Sequence, residues 1–185
     1  MRVQVGGYAV QVWRGQLPGH FGSLSDLADL SETFGPLDGR EDGDGSLFCV
    51  SVSPQLRIWP ALLVTQRFSP DVGGFDPGVL IVPETGVVLI GAGERLLAYR
   101  LDDPPARLWE DTASAGFWWW DRQGDTVLMA AELEFAAWDL HGRKRWSMFV
   151  EPPWSYSVHD GVILLDVMDH LTSFPLPGGP QGVQP

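Results

Sequence analysis

The chain has 185 residues, 44% of them hydrophobic, and its 24 acidic against 12 basic residues give a formal net charge of −12. This composition argues against wholesale disorder and against a membrane protein. Because binding to a nucleic-acid backbone requires positive charge on the protein, it also argues against a nucleic-acid partner.

The length fits a single domain, residues 1–185. We expect it to comprise three parts along the chain. These are an N-terminal hairpin, helix and acidic loop over residues 1–78, blade-like repeats over residues 79–176, and a flexible tail over residues 177–185.

Cysteine content and the N-terminus bear on compartment and cofactors. Cys49 is the only cysteine, which excludes an internal disulfide and a cysteine-rich metal centre, and its strand-like surroundings predict a buried thiol. Residues 1–7 do not have the charged-then-apolar layout of a secretion signal, and no apolar run approaches the length of a membrane span. We therefore expect a cytoplasmic protein.

The first predicted element is a β-hairpin. Residues 3–13 alternate apolar and polar side chains around Gly6 and Gly7, a pattern typical of two strands joined by a tight turn. Further along, residues 38–45 form a predicted acidic loop. No register of this loop places oxygen ligands and a glycine as a calcium-binding loop requires, so we interpret it as a solvated connection.

One short α-helix is predicted between the hairpin and the acidic loop. Four apolar residues recur there at helical spacing: Leu24, Leu27, Leu30 and Phe34. Ser23 or Ser25 is a suitable N-cap, and Gly35 followed by proline ends the run. The pattern predicts a helix near residues 23–34.

A weak internal repeat begins near residue 79. Residues 86–101 (GVVLIGAGERLLAYRL) align with residues 125–140 (DTVLMAAELEFAAWDL) at a spacing of 39, and residues 161–176 (GVILLDVMDHLTSFPL) form a third copy that comes sooner. Each unit consists of an apolar strand, a tight turn and a second strand, and the first two units are followed by a strand that carries tryptophan. This period and pattern predict four-stranded antiparallel meanders.

The repeats resemble blades of quinoprotein-type and WD-repeat β-propellers. The segment 138–146 (WDLHGRKRW) is especially similar to the strand-turn-Trp end of a quinoprotein blade. The resemblance implies local meander geometry over residues 79–176 and carries over no active site. The segment 59–84 is also similar to uncharacterised bacterial proteins, which implies no chemistry.

Taken together, these patterns predict an all-β fold of consecutive antiparallel meander sheets, resembling an incomplete β-propeller, with the one short helix near residues 23–34. The alternative is a β-sandwich or rolled sheet in which the repeats pack face to face.

The most prominent sequence feature is the aromatic content, with nine tryptophans. On a regular strand, Trp118 and Trp120 would share one face and Trp119 would take the other. Such residues either wedge between sheets or form a platform for a partner, since tryptophan is over-represented at binding hot spots. The stiff loop 151–156 and the Trp59-Pro60 step are further candidate contacts. The predicted partner-binding residues are Trp118, Trp119, Trp120, Trp154, Tyr156 and Trp59.

The only candidate catalytic pair is Glu132 and Glu134. Two residues apart on a predicted strand, their carboxylates would point the same way, about 6 to 7 Å apart, which is compatible with a glycosidase acid pair. Any half-exposed strand offers the same arrangement. We therefore predict no catalytic residue, with these two glutamates as the candidates if there is one.

Other chemical motifs are missing. The four histidines are scattered, and the nearest acidic and imidazole cluster is Asp166, Asp169 and His170, so no metal site is predicted. The chain has no nucleophile elbow and no phosphate-binding glycine loop, and we expect no cofactor. The basic run 143–145 is interpreted as a solvated turn.

Three functional hypotheses follow. The first is a non-catalytic, acidic protein-binding protein, for example an immunity-type inhibitor or adaptor that covers a basic partner. The second is a carbohydrate- or small-ligand-binding enzyme that uses a tryptophan platform with Glu132 and Glu134. The third is a structural domain that forms homo-oligomers through its open sheet edges.

Overall fold

The computed structural model describes residues 1–35, 45–69 and 76–180. The predicted acidic loop at 38–45 falls outside these residues except for Gly45, and so do the last five residues of the predicted tail. Within the described ranges the fold is all-β apart from one helix, and its strands form four sheets, which we name A to D in chain order. None of these sheets closes into a barrel within the same ranges.

Sheet A has five strands in the order β1-β2-β4-β5-β3. They are β1 (Arg2–Val5), β2 (Tyr8–Arg14), β3 (Leu30–Phe34), β4 (Ser46–Pro54) and β5 (Leu62–Phe68). β1 and β2 are the predicted opening hairpin, which turns at Gly6 with a φ of +56°. Cys49 is buried in β4, as expected, and burial raises the pKa of its thiol.

The helix predicted at residues 23–34 is wrong in its second half. α1 spans Phe21–Leu27, and the chain becomes extended at Ala28, where ψ is 141°. The following residues form β3, which pairs parallel with β5. The apolar spacing fits both structures, because positions 30 and 34 also share one face of a strand. The edge of β5 offers backbone hydrogen bonds to this segment, and that tertiary pairing decides between the two.

Sheets B and C are consecutive antiparallel meanders of four strands each. Sheet B contains β6 (Gly78–Val82), β7 (Val87–Ala92), β8 (Arg95–Arg100) and β9 (Ala106–Thr112). Sheet C contains β10 (Phe117–Gln123), β11 (Thr126–Ala131), β12 (Glu134–Asp139) and β13 (Lys144–Phe149). The first three strands of each sheet start 39 positions apart, so the predicted repeat and its four-stranded units are confirmed.

Sheet D is the third copy of the repeat and has three strands in the described residues. They are β14 (Trp154–His159), β15 (Val162–Val167) and β16 (His170–Pro175), and each pairs antiparallel with the next. Because β14 begins at Trp154, Trp154 and Tyr156 lie on a strand. The prediction that they belong to a stiff loop is therefore wrong.

The sheets pack in the order A, B, C and D, with an apolar cluster between each neighbouring pair. Every residue of β7 and β11 is buried, which explains why both read as continuous apolar runs instead of alternating ones. The outer face of sheet A is covered by α1, whose Leu24 packs with Cys49 and Leu63. Among the described residues, sheet D packs on sheet C with one face only. Its other face leaves Leu164 43% exposed and Leu171 76% exposed.

Candidate functional site

A β-bulge in β10 rearranges the Trp118–Trp120 run. The pairing register with β11 shifts between Phe117 and Trp119, so Trp118 is the additional residue. As a result Trp118 and Trp119 stack on each other at 5.6 Å on the sheet D side, whereas Trp120 packs against Trp138 on the sheet B side. The prediction that Trp118 and Trp120 share a face is therefore wrong.

The bulge builds a continuous aromatic stack between sheets C and D. Trp119 stacks on Trp118, and Trp118 stacks on Trp154 with ring centroids 5.2 Å apart and planes 13° from parallel. Trp154 continues to Tyr156 at 6.2 Å, and Phe135 packs beneath both. Burial increases along the stack, from Trp119 at 41% exposed to Trp154 at 8%. Trp119 therefore presents an indole to solvent from a rigid support.

A cleft of about 350 Å³ opens beside this stack, between β10 and β14. We call it the C–D cleft, and it is lined by Trp119, Asp121, Gln123, Trp154, Ser155, Tyr156, Ser157 and Val158. Positions 119, 121 and 123 follow the bulge on alternate residues of one strand, which is why they line the cleft together. Asp121 is the only charged residue in this lining.

Hydrogen bonds hold the cleft in place. The indole Nε1–H of Trp119 donates to the Tyr156 hydroxyl at 3.2 Å, and that hydroxyl donates to Asp121 Oδ2 at 3.1 Å. The amide of Gln123 donates to the same Asp121 oxygen at 3.0 Å. Burial is the main cause that raises the pKa of Tyr156 above its ordinary value. The hydrogen bond from Trp119 lowers this pKa in part, whereas the charge of Asp121 raises it further. Tyr156 therefore stays a neutral hydrogen-bond donor at physiological pH.

Two other predicted partner-binding residues lie elsewhere. Trp120 is half-buried between sheets B and C, in edge contact with Trp138 at 5.5 Å. Trp59 is 39% exposed in the connection between β4 and β5 of sheet A. The structure thus brings together Trp118, Trp119, Trp154 and Tyr156, and it separates Trp59 and Trp120 from them. Asp121 and Gln123 complete the site, and the sequence reasoning missed both.

Glu132 and Glu134 do not form the predicted pair on one strand face. Only residues 132 and 133 connect β11 to β12, so Glu132 lies in the turn, where its backbone N–H donates to the Gly116 carbonyl. Glu134 begins β12 and is 8% exposed. Its carboxylate accepts hydrogen bonds from the Ser147 hydroxyl at 2.6 Å and the Ser114 backbone N–H at 3.3 Å. The Glu134 carboxylate thus links β12 to β13 through Ser147 and to the connection between β9 and β10 through Ser114.

The basic run 143–145 is not simply a solvated turn. Lys144 is the only lysine in the sequence, and its ammonium lies 2.7 Å from Asp111 on sheet B and 3.7 Å from Glu134 on sheet C. It also lies 5.1 Å from the ring centroid of Trp138. The ion pair between Lys144 on β13 and Asp111 on β9 therefore links sheet C to sheet B.

Metal-ligating side chains do not converge in the described ranges, where no group of three or more histidine, cysteine, aspartate or glutamate residues is placed to hold an ion. Asp166 lies on β15 and His170 on β16, one register position apart across the hairpin. Asp169 lies in the turn between them.

Two sequence comparisons give no relative for this chain. The sequence matches no protein-family model, and no curated protein is detectably similar to it. Among the described residues, the single helix α1 has seven residues, which is too short to cross a bilayer.

Proposed function

We propose that this chain is a non-catalytic, acidic protein-binding domain of the immunity or adaptor kind, and that a basic partner protein docks at the C–D cleft. The observation that carries the proposal is the exposed indole of Trp119, fixed at the edge of a cleft whose one charged group is a carboxylate.

Trp119 has the properties of a binding anchor. It is a large aromatic residue with 41% of its surface exposed, and its ring is held by Trp118 on one face and by the hydrogen bond to Tyr156. A partner that covers this ring buries apolar area without having to order it, so little conformational entropy opposes binding. Truncating such anchors to alanine typically costs about 2 kcal/mol or more of binding free energy.

Charge supports a basic partner. The net charge of −12 attracts a cationic protein over a distance, and the carboxylate of Asp121 lies where the partner would contact Trp119. Such attraction weakens at high ionic strength, because salt screens exposed charges.

Affinity capture from the lysate of the native host tests the proposal. The wild-type chain, Trp119→Ala and Trp59→Ala are used as baits at low and high salt. Trp59→Ala is the matched control, because Trp59 is 39% exposed, close to the value for Trp119, but lies on sheet A. We expect a stoichiometric basic protein on the wild-type and Trp59→Ala baits that is lost from the Trp119→Ala bait and reduced at high salt.

Three outcomes would contradict the proposal. One is an empty wild-type bait, and another is a partner retained equally by the Trp119→Ala bait. The last is recovery of the chain itself as the only captured protein, which would put self-assembly in place of partner binding. Light scattering of the isolated chain at increasing concentration identifies that case.

A further inference from the structure

We infer that the C–D cleft binds the guanidinium group of an arginine side chain presented by the partner protein. This inference rests on the proposed function, because it names the chemical group that the partner inserts. It concerns one contact, between that guanidinium and the pair formed by Trp119 and Asp121.

The aromatic half of this contact is the outer face of Trp119. One face of the indole is covered by Trp118 at 5.6 Å, yet the residue remains 41% exposed, so the uncovered face is open to a ligand. The faces of tryptophan attract cations more strongly than those of tyrosine or phenylalanine. A planar guanidinium also stacks parallel to an indole, which a tetrahedral ammonium does not.

The anionic half is Asp121. Its Oδ2 accepts the hydrogen bonds from Tyr156 and Gln123, whereas its Oδ1 accepts none from any described residue, and no described lysine or arginine is paired with it. The carboxylate is thus oriented through one oxygen and keeps the other for a donor. Because Tyr156 stays neutral, its hydroxyl donates to Asp121 and adds no second negative charge.

The protein already contains the same recognition in another place. On sheets A and B the guanidinium of Arg95 lies 4.8 Å from the ring centroid of Phe34, and its Nε–H donates to Glu110 at 3.0 Å. Arg107 lies 5.5 Å from the same ring and donates to the other oxygen of Glu110 at 2.9 Å. An aromatic ring beside a carboxylate therefore holds guanidinium groups in this fold. The C–D cleft presents the same two elements with no guanidinium from the described chain.

The size and lining of the cleft fit one side chain. Its volume of about 350 Å³ is near the lower end of the range for small-ligand sites. The serines and Val158 in the lining are neutral, so nothing basic in it repels the guanidinium. Among the described residues that line the cleft, three are aromatic and Asp121 is the only one with a charge.

The test is a titration with blocked arginine, Nα-acetyl-arginine-N-methylamide, followed by the indole N–H signals in nitrogen-15 NMR spectra. Trp119→Phe assigns the Trp119 signal. The Trp154 indole, which also lines the cleft and donates to the Glu132 carbonyl at 3.1 Å, is a second reporter that survives substitution of Trp119. Blocked citrulline is the neutral isosteric probe, and blocked lysine tests an ammonium.

We expect saturable shifts of the Trp119 and Trp154 signals with blocked arginine, and binding weaker by about tenfold or more with blocked citrulline and with the Asp121→Asn variant. Blocked lysine should also bind more weakly than blocked arginine. Glu94→Gln is the matched control, because it removes one exposed carboxylate from the turn between β7 and β8 and should leave binding unchanged. Asp121→Asn keeps an oxygen that accepts from Tyr156, so the fold should persist, which a thermal melt verifies.

No saturable shift with blocked arginine, an equal response to citrulline, or undiminished binding by Asp121→Asn would overturn the inference. The two proposals fail separately. A partner captured in a Trp119-dependent way, together with no response to blocked arginine, removes the guanidinium contact and leaves the protein-binding function. Specific binding of blocked arginine, together with an empty bait, removes the protein-binding function and leaves a guanidinium site in the cleft.

Discussion

The packing of Phe117 on two glycines gives the sharpest stability prediction. Gly78 and Gly91 are cross-strand partners on β6 and β7, and the ring of Phe117 lies against both. A Cβ added at Gly91 would be 2.5 Å from Cδ2 of this ring and 2.7 Å from Cγ. Gly78 lies against the far edge of the same ring, since a Cβ added there would be 2.9 Å from Cε1. The substitution Gly91→Ala should therefore destabilise the protein.

The size of the effect follows from two opposing contributions. Overpacking a filled core costs about 1–3 kcal/mol, and because the added Cβ would meet a buried ring at 2.5 Å we expect about 2–3 kcal/mol. Alanine also stabilises by about 0.4–1 kcal/mol, because it restricts the unfolded chain. Gly7→Ala is the matched control, since a Cβ at Gly7 has no neighbour within 4 Å. Both variants share the unfolded-state contribution, so their difference of about 2–3 kcal/mol measures the packing alone.

Urea unfolding followed by circular dichroism measures the free energy of unfolding of each variant. The same Gly91→Ala substitution is then made in a Phe117→Leu background, where the clashing ring is absent and the cost should fall. If Gly91→Ala and Gly7→Ala differ by less than about 0.5 kcal/mol, or if the cost persists without the ring, the packing argument is refuted.

Three further predictions concern single side chains. Lys144→Met removes the ion pair with Asp111 and should lower the free energy of unfolding, measured in urea, by about 0.5–1 kcal/mol, a small loss because the pair is partly exposed. Lys144→Arg keeps the positive charge and should retain most of this stability. Burial raises the pKa of the Cys49 thiol, so Ellman's reagent at pH 8 should react with this thiol only after urea is added, and prompt reaction of the folded chain would contradict its burial. Burial and the hydrogen bond to Glu32 raise the pKa of Tyr99 above its ordinary value of 10.0, so the folded state favours the neutral phenol. The contribution of Tyr99 to the free energy of unfolding should be fully present below that pH and be lost as the pH rises above it. In Tyr99→Phe the free energy of unfolding should therefore fall less steeply with alkaline pH. Equal slopes for the two proteins in urea titrations at alkaline pH would refute this.

The repeat was predictable because its determinants are local. The two copies at a spacing of 39 carry the same alternation of strands and tight turns, and each meander pairs only consecutive strands. The segment 30–34 was not predictable, because its pairing partner β5 begins 32 positions later in the chain. Its residues satisfy a helical and an extended spacing equally, and only the completed sheet distinguishes them.

The candidate site was also predictable from the sequence only in part. The aromatic content indicated Trp119, Trp154 and Tyr156, which do line the C–D cleft. The pattern did not indicate the bulge at Trp118, because one additional residue in a strand leaves no mark in the order of side chains. Without the bulge, Trp119 would lie on the opposite face from Trp118. Asp121 shares a face with Trp119 by ordinary strand alternation, but nothing in the sequence indicates that β14 packs beside that face.

The packing of sheet D on one face has a consequence for local unfolding. Sheets B and C are covered on both faces and sheet A is covered by α1, so among the described sheets D loses the least apolar contact when it opens. Its amide protons should exchange with solvent at a lower opening free energy than those of β7 or β11. β14 carries Trp154 and Tyr156, so such an opening also dismantles the C–D cleft. An occupant of the cleft would therefore slow hydrogen exchange throughout β14, β15 and β16 by mass action, including at amides that it does not contact.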